Sequence, residues 1–443
     1  MFANLTGIIA RIKESWQQEL EDEAIRQACV QAGHHWRERQ LGPVTTVKMF
    51  LLQILYGNVA CNFVPHLAGK RVTGSSYCEA RSRLPLAALE TLLTTCTKRM
   101  AECVRNTGRW LGHRLFLMDG CHFSMPDVPE LAKRFGYPPR QAEGCGFPVA
   151  HWLAWVHAGT GLIQKGLVGR IGSHDLPAAA QMHDQLEAGD VLVGDAAFCS
   201  FTHLALLLTR GLHGIFRAPN NTPFNLALGS WHSKKRQRCV RLIQTLGPED
   251  QIVEWMRPKA KPSWLDAQTW ERVPERVRVR ELRYTLKQPG FRVHTVTVAT
   301  TLLDPLRYPK EKLAEAYGLR WYVETCFRHL KTTLKMDVLH CQSVEGVQKE
   351  LTMFLLVYNL VRMTMLEAAR RQGVSPDRIS FVDALRWLAT AQAGDDLPCL
   401  IVNPHRPGRV EPRCRKRRPK GTYPWLQQAR ARLKFLLAQG VPA

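Results

Sequence analysis

Apolar residues recur at helical spacing over the first hundred positions, alternate as in strands through the middle, and return to helical spacing in the last third. The spacing predicts helices over 24–32, 44–56 and 85–105, the last carrying Leu86, Leu89, Leu92 and Leu93 along one face. A run over 113–118 ends at Asp119-Gly120 and reads as a strand. Segments 148–157 and 162–168 read as strands joined by Gly159-Thr160-Gly161. Ser173 or His174 is placed to cap a helix reaching about 186. Gly189-Asp190 then turns into a buried-looking strand over 191–194 that ends on Asp195, and 214–218 reads as a further strand. Alternating runs such as 276–280 and 293–298 predict half-exposed strands within 219–304. Helices are predicted again over 310–334, 347–371 and 381–389.

Charge changes the picture from an ordinary α/β protein to one built for a polyanion. The 443 residues hold 61 Lys and Arg against 38 Asp and Glu, a net +23, while 45% are hydrophobic. That apolar share excludes disorder as the dominant state. Neutralising phosphates releases counterions, so the charge points to nucleic acid first and an anionic membrane second. Segment 219–304 carries 15 Lys or Arg against 8 Asp or Glu, and 404–443 carry eleven against Glu411 alone. The thirteen cysteines are scattered singly and read as reduced thiols. No basic segment precedes the first apolar residues, and the apolar stretches around 50–56 and 351–360 fall short of the roughly 20 residues of a membrane span. The expectation is a soluble intracellular protein.

Candidate chemistry lies in three acidic residues. Asp119 and Asp195 each follow a predicted strand, where an Asp is most often a turn former. Glu324 lies on a helix where 100° per residue brings Tyr317, Arg320 and Lys331 to its face. The plain reading of that stripe is a solvated face with an Arg–Glu pair worth a few tenths of a kcal/mol. The sharper reading is a carboxylate framed by cations suited to phosphates. Carboxylates from two strands and a helix are what two Mg²⁺ ions about 3.5–4 Å apart require for phosphodiester chemistry. The order of strand with Asp, hairpin, helix, strand with Asp, basic insertion and helix with Glu fits an α/β, ribonuclease H-like core. The division it predicts is a helical N-terminal region (1–105) with possible DNA-binding function, core segments over 106–218 and 305–375, a basic β-rich insertion (219–304) and a helical C-terminal region (376–443). Lys234, Lys235 and Arg236, and Arg415, Lys416, Arg417 and Arg418, are candidate phosphate tracks. His174 and Asp175 are candidates for a helix cap or for support of the site.

The spacing Tyr317-x2-Arg320-x3-Glu324-x6-Lys331 resembles the signature of the Insertion Sequence 4 family of bacterial DDE transposases. Met118-Asp119-Gly120, with Phe135-Gly136 and Gly146-Phe147-Pro148, is similar to that family's first acidic block, and Gly194-Asp195-Ala196-Ala197-Phe198 to its second. The likeness runs over about 111–331 and, more loosely, through the basic stretch 413–424. It implies that Asp119, Asp195 and Glu324 bind two Mg²⁺ ions, with Mn²⁺ as a substitute. It implies that Tyr317, Arg320 and Lys331 hold the phosphates of the transposon end. The implied activity is binding of terminal inverted repeats in double-stranded DNA, cleavage through a hairpin intermediate, and strand transfer to target DNA. A homodimer in the synaptic complex and a cytoplasmic, nucleoid-associated location are implied with it. Some relatives place a stacking Trp before the Glu helix. Strand 294–300 has none here, which leaves Trp264, Trp270 or Phe291 for that role. The rival expectations are a ribonuclease H-like nuclease that does not join strands and an inactive descendant that only binds inverted repeats.

Overall fold

The computed structural model describes residues 22–402 apart from 38, 140–144, 220–221, 225, 233–238, 287–293 and 392–394, together with 432, 435 and 439. Lys234, Lys235, Arg236, Phe291 and the basic stretch holding Arg415, Lys416, Arg417 and Arg418 lie outside the described residues.

The described residues begin with five helices, α1 (Asp22–Gln31), α2 (Pro43–Leu55), α3 (Val64–Leu67), α4 (Gly74–Arg83) and α5 (Leu86–Cys103). Local chemistry sets their starts. Pro43 occupies the first turn of α2, where its missing N–H costs nothing, and the Thr73 hydroxyl accepts the Ser76 N–H at 3.1 Å to cap α4.

Strand β1 (Leu115–Ser124) follows, then α6 (Pro129–Phe135), the hairpin β2 (Val149–His157) and β3 (Ile163–Arg170), α7 (Asp175–Met182), β4 (Val191–Gly194), α8 (Phe201–Leu208) and β5 (His213–Arg217). Five further strands come next: β6 (Trp231–His232), β7 (Val240–Gly247), β8 (Asp250–Met256), then β9 (Arg276–Leu286) after the short α9 (Ala267–Arg272), and β10 (His294–Thr300). All ten lie in one sheet of order β3-β2-β1-β4-β5-β10-β9-β8-β7-β6. β1 pairs antiparallel with β2 and parallel with β4, and β4 runs parallel to β5, so the first five strands have the order and directions of a ribonuclease H-like core. The strands of segment 219–304 do not form a sheet of their own. β10 pairs antiparallel with β5, and β9 to β6 continue outward from it.

Period-2 alternation divides the sheet between two cores. Leu115, Leu117, Val191 and Val193 face one layer, with Trp152 and Ala154 of β2. Phe116, Met118, Leu192 and Trp155 face the other, covered by α7 and α8. The first layer is filled by the last helices: α10 (Lys310–Gly318), α11 (Trp321–Arg328), α12 (Val344–Gln372) and α13 (Phe381–Thr390). α12 is capped by the Ser343 hydroxyl, which accepts the Gly346 N–H at 3.1 Å, and ends at Gly373 in the left-handed region, φ 65°. At 29 residues α12 is long and apolar enough to cross a membrane, yet its apolar window is wholly inside the protein. Its polar residues are bonded there: Asn359 brackets the N–H and C=O of Ile163 at 3.0 and 2.9 Å, and Arg362 donates to Thr160 O at 2.6 Å.

Two local readings change. The helix expected over 310–334 is interrupted. After Gly318, the N–H of Arg320 bonds Tyr317 O at 3.1 Å and that of Tyr322 bonds Leu319 O at 2.8 Å, a tight i→i−3 turn, and a π-helical turn (His329–Thr333) follows α11. Asp119 also lies inside β1 rather than at its end. β1 runs on beyond it because residues 116–124 pair with β2 after β4 has stopped.

Candidate active site

Strand register places the two aspartates. Leu117 pairs with Val193 across the parallel β1–β4 ladder, and Asp119 and Asp195 each stand two residues further on. Two steps along a strand keep the face, so both belong to the face covered by α10 and α11. Asp195 leaves β4 into a short 3₁₀ turn (Ala196–Phe198), whose Ala197 N–H donates to Asp195 Oδ1 at 2.8 Å. The turn is held from below, where the Phe198 carbonyl is 2.8 Å from Nδ1 of the buried His203.

The tight turn at Leu319–Arg320 supplies the third carboxylate and its companions. Side chains three apart nearly eclipse in such a turn, which brings Tyr317 over Arg320, and a helical step of four then joins Arg320 to Glu324. Arg320 bears electrostatically on the largely buried Tyr317, and stands 3.3 Å from Asp119 Oδ2 by Nη1 and 3.6 Å from Glu324 Oε1 by Nη2. Its guanidinium therefore bridges the carboxylates of a strand and a helix. The Nε of Arg320 is buried without a hydrogen-bond partner. Burial pushes the Asp119 carboxyl up to about 6; the Gly120 N–H and Arg320 oppose that rise, and the charges of Asp195 and Glu324 add to it. Tyr317 is also raised, chiefly by burial, with Arg320 and Arg217 acting against it.

Lys331 lies on the π-helical turn and bears electrostatically on Cys121 and His122 of β1. Tyr317, Arg320 and Glu324 thus meet Asp119 and Asp195, while Lys331 stands further along β1. Trp264 and Trp270 pack half-buried against the second core.

Three features were not singled out from the sequence. Trp321 is 56% exposed with the Arg320 guanidinium 5.0 Å from its ring centre, and its place directly after Arg320 was the available signal. Gly120 leaves room for His151: a Cβ on it would lie 2.4 Å from that ring. His151 is bonded through Nε2 to Asp175 and by Nδ1 to His122 Nε2 at 3.2 Å, on the sheet face opposite Asp119. Asp175 thus bonds His151, and His174, the N-cap of α7, makes no side-chain capping bond.

Among the described residues, no three His, Cys, Asp or Glu side chains stand close enough together to hold a metal ion. The donor set nonetheless fits one. Asp119, Asp195 and Glu324 offer the oxygen ligands that Mg²⁺ and Mn²⁺ prefer, and two of them, Asp119 and Glu324, already attract a cationic group, Arg320.

A ribonuclease H-like sheet with in-register aspartates beside a glutamate-bearing helix is the framework of enzymes that cut and transfer DNA strands. Residues 110–360 match the family described as Transposase DDE domain; that is more than half of the chain, and the chain belongs to that family. It is 26% identical over 374 residues to Transposase InsG for insertion sequence element IS4 of Escherichia coli (strain K12), covering 80% of this chain and 79% of that protein. Among solved structures, the cryo-EM structure of piggyBac transposase synaptic complex with hairpin DNA aligns over 85% of this chain and 78% of that one, at 10% identity and a TM-score of 0.43. The protein is an insertion-sequence DNA transposase of the DDE type. Enzymes of this family cleave and transfer DNA and generally use divalent metal ions.

Proposed function

We propose that Asp119, Asp195 and Glu324 are the catalytic carboxylates and that they hold two Mg²⁺ ions, with Mn²⁺ able to substitute. The observation that carries this reading is the register of Asp119 with Asp195 on adjacent parallel strands, bridged to Glu324 by one guanidinium. When bound at these residues, the ions would activate the attacking oxygen and stabilise the leaving oxygen in phosphoryl transfer. The chain's own residues orient the DNA strand. Arg320 and Tyr317 turn a fork of donors and a phenol toward the carboxylates, and Lys331 adds a cation further along the strand, so that a phosphodiester backbone is neutralised and fixed in line with the site. No protein nucleophile takes part.

The substrate is the terminal inverted repeat of the element in double-stranded DNA. A first strand is nicked, its 3′-OH closes a hairpin at the element end, and the reopened end is joined to target DNA. The strands of segment 219–304, continuous with the catalytic sheet, present a basic surface beside the hairpin. Lys234, Lys235, Arg236, Arg415, Lys416, Arg417 and Arg418 contribute phosphate contacts, and the N-terminal helices contact DNA. Two protomers hold the two ends together in the synaptic complex, which acts on the chromosome in the cytoplasm.

The experiment is incubation of the purified protein with a duplex carrying its element's terminal repeat and Mg²⁺, with products resolved on a denaturing gel beside Asp119→Ala. Metal-dependent nicks and hairpins at the element boundary, absent from the variant, are the expected result. Binding without cleavage would make the chain an inactive repeat-binding descendant, and cleavage without joining would make it a nuclease.

A further inference from the structure

Away from the carboxylates, the N-terminal helices enclose a cleft of about 860 Å³ between the loop after α1, the start of α2 and the outer face of α4. Its lining divides into three chemistries. Leu41, Pro43, Val72, Ala80 and Leu84 make an apolar floor. One wall is the parallel pair His34 and Trp36, with ring centres 5.7 Å apart and planes 23° from parallel. Arg37, Arg39 and Arg83 stand exposed at the rim, with Glu79 the one acid among the described lining residues, itself exposed and 3.8 Å from Arg83. Burial, with the neighbouring Arg83, His35 and Lys349, lowers the His34 pKa.

We propose that this cleft is a second nucleotide site, taking one nucleoside phosphate with the base against the His34–Trp36 wall and the phosphate on the arginine rim. A cleft of this volume falls in the range of small-molecule sites, and a flat aromatic wall below a cationic rim matches the two halves of a nucleotide. A paired base exposes only its edge in a groove and cannot lie flat against a wall within a concavity. The DNA form of this ligand is therefore an unpaired nucleotide of a strand. A free nucleotide offers the same chemistry. None of the lining residues belongs to the carboxylate site. The inference rests on DNA as the substrate only in its choice between those two sources.

The test is fluorescence anisotropy with three probes: the fully paired terminal-repeat duplex, the same duplex with one unpaired nucleotide, and a short single strand, each competed with AMP. The wild-type chain is expected to bind the probes with unpaired nucleotides about tenfold more tightly than the paired duplex. Trp36→Leu is expected to bring that preference to within about twofold while leaving paired-duplex affinity unchanged. The exposed pair Arg37→Gln and Arg39→Gln, which a folding defect would not confound, is expected to reduce that preference likewise and to flatten the salt dependence of the probes with unpaired nucleotides. Competition by AMP without preference for unpaired DNA would assign the cleft to free nucleotides. Equal preference in wild type and both variants, or no preference and no competition in the wild type, overturns the site. Loss of all DNA binding in the wild type with AMP binding retained would instead overturn the DNA-end reading above and leave the cleft standing.

Discussion

Arg320 Nη1 lies 3.3 Å from Asp119 Oδ2, joining the tight turn after Gly318 to the middle of β1. The same guanidinium reaches Glu324 at 3.6 Å, so one protein cation pairs with two of the three carboxylates. Arg320→Gln removes that competitor. It is expected to bind Mn²⁺ about three- to tenfold more tightly by calorimetry, while strand cleavage falls at least tenfold because a phosphate contact is lost. Unchanged Mn²⁺ affinity would show that Arg320 does not compete with the ions.

Glu324→Ala is expected to abolish strand cleavage while repeat-DNA binding persists in a mobility-shift assay, since Glu324 is half-exposed and supports little of the core. Cleavage at the wild-type rate would remove it from the catalytic set.

The Asp119 carboxyl, raised to about 6 from an ordinary 3.8, holds its proton more tightly in the fold than in the unfolded chain. Its stabilising contribution is present below 3.8 and is lost as pH rises through 6. Asp119→Asn without metal is therefore expected to be more stable than wild type by about 1–2 kcal/mol at pH 8 and about equal to it at pH 3.5, measured by urea unfolding. A gain that does not depend on pH would contradict this environment.

Four histidines act in the opposite sense. Burial lowers His157 and His203 to about 4, His329 to about 3 and His183 to about 2. The unfolded chain takes up protons at these positions below about 6.5 and the folded chain does not, so stability falls as pH drops from 6.5 toward 4. His203→Gln is expected to lessen that slope in thermal unfolding scans. It is also expected to slow cleavage through the turn that carries Asp195, because the ring no longer fixes the Phe198 carbonyl.

Asp250 and Arg280 form a buried two-bonded pair at 2.8 and 2.6 Å, and Arg280 also donates to Tyr308 O at 2.6 Å, tying β8 and β9 to the segment that leads into α10. Arg280→Met alone is expected to cost about 3–5 kcal/mol by leaving a buried carboxylate unpaired. Combination with Asp250→Leu is expected to recover most of that loss in chemical denaturation. Equal losses in the single and double variants would place the defect in packing rather than charge.

The sequence by itself determined most elements and singled out the candidate site residues. Apolar runs bounded by turn residues gave β2 and β4, alternation gave β10, helical spacing gave α5, α12 and α13, and strand ends and motif spacing singled out Asp119, Asp195 and Glu324 with Tyr317 and Arg320. These are local signals, fixed by side-chain periodicity and residue type within a few turns of chain. Tertiary structure decided what local pattern cannot carry. The interrupted helix depends on packing α10 and α11 against β4, β5 and β1, which favoured a tight turn after Gly318 over continuous α-helix. The continuation of β1 past Asp119 depends on a partner, β2, whose pairing lies some thirty residues away in sequence. The continuity of segment 219–304 with the catalytic sheet rests on the β5–β10 ladder, which closes about eighty residues of intervening chain. The bridging position of Arg320, the seat of His151 over Gly120 and the nucleotide-sized cleft beside Trp36 all bring together groups from separate elements. Their energies come from contacts that exist only once the chain has folded, so no periodicity announces them.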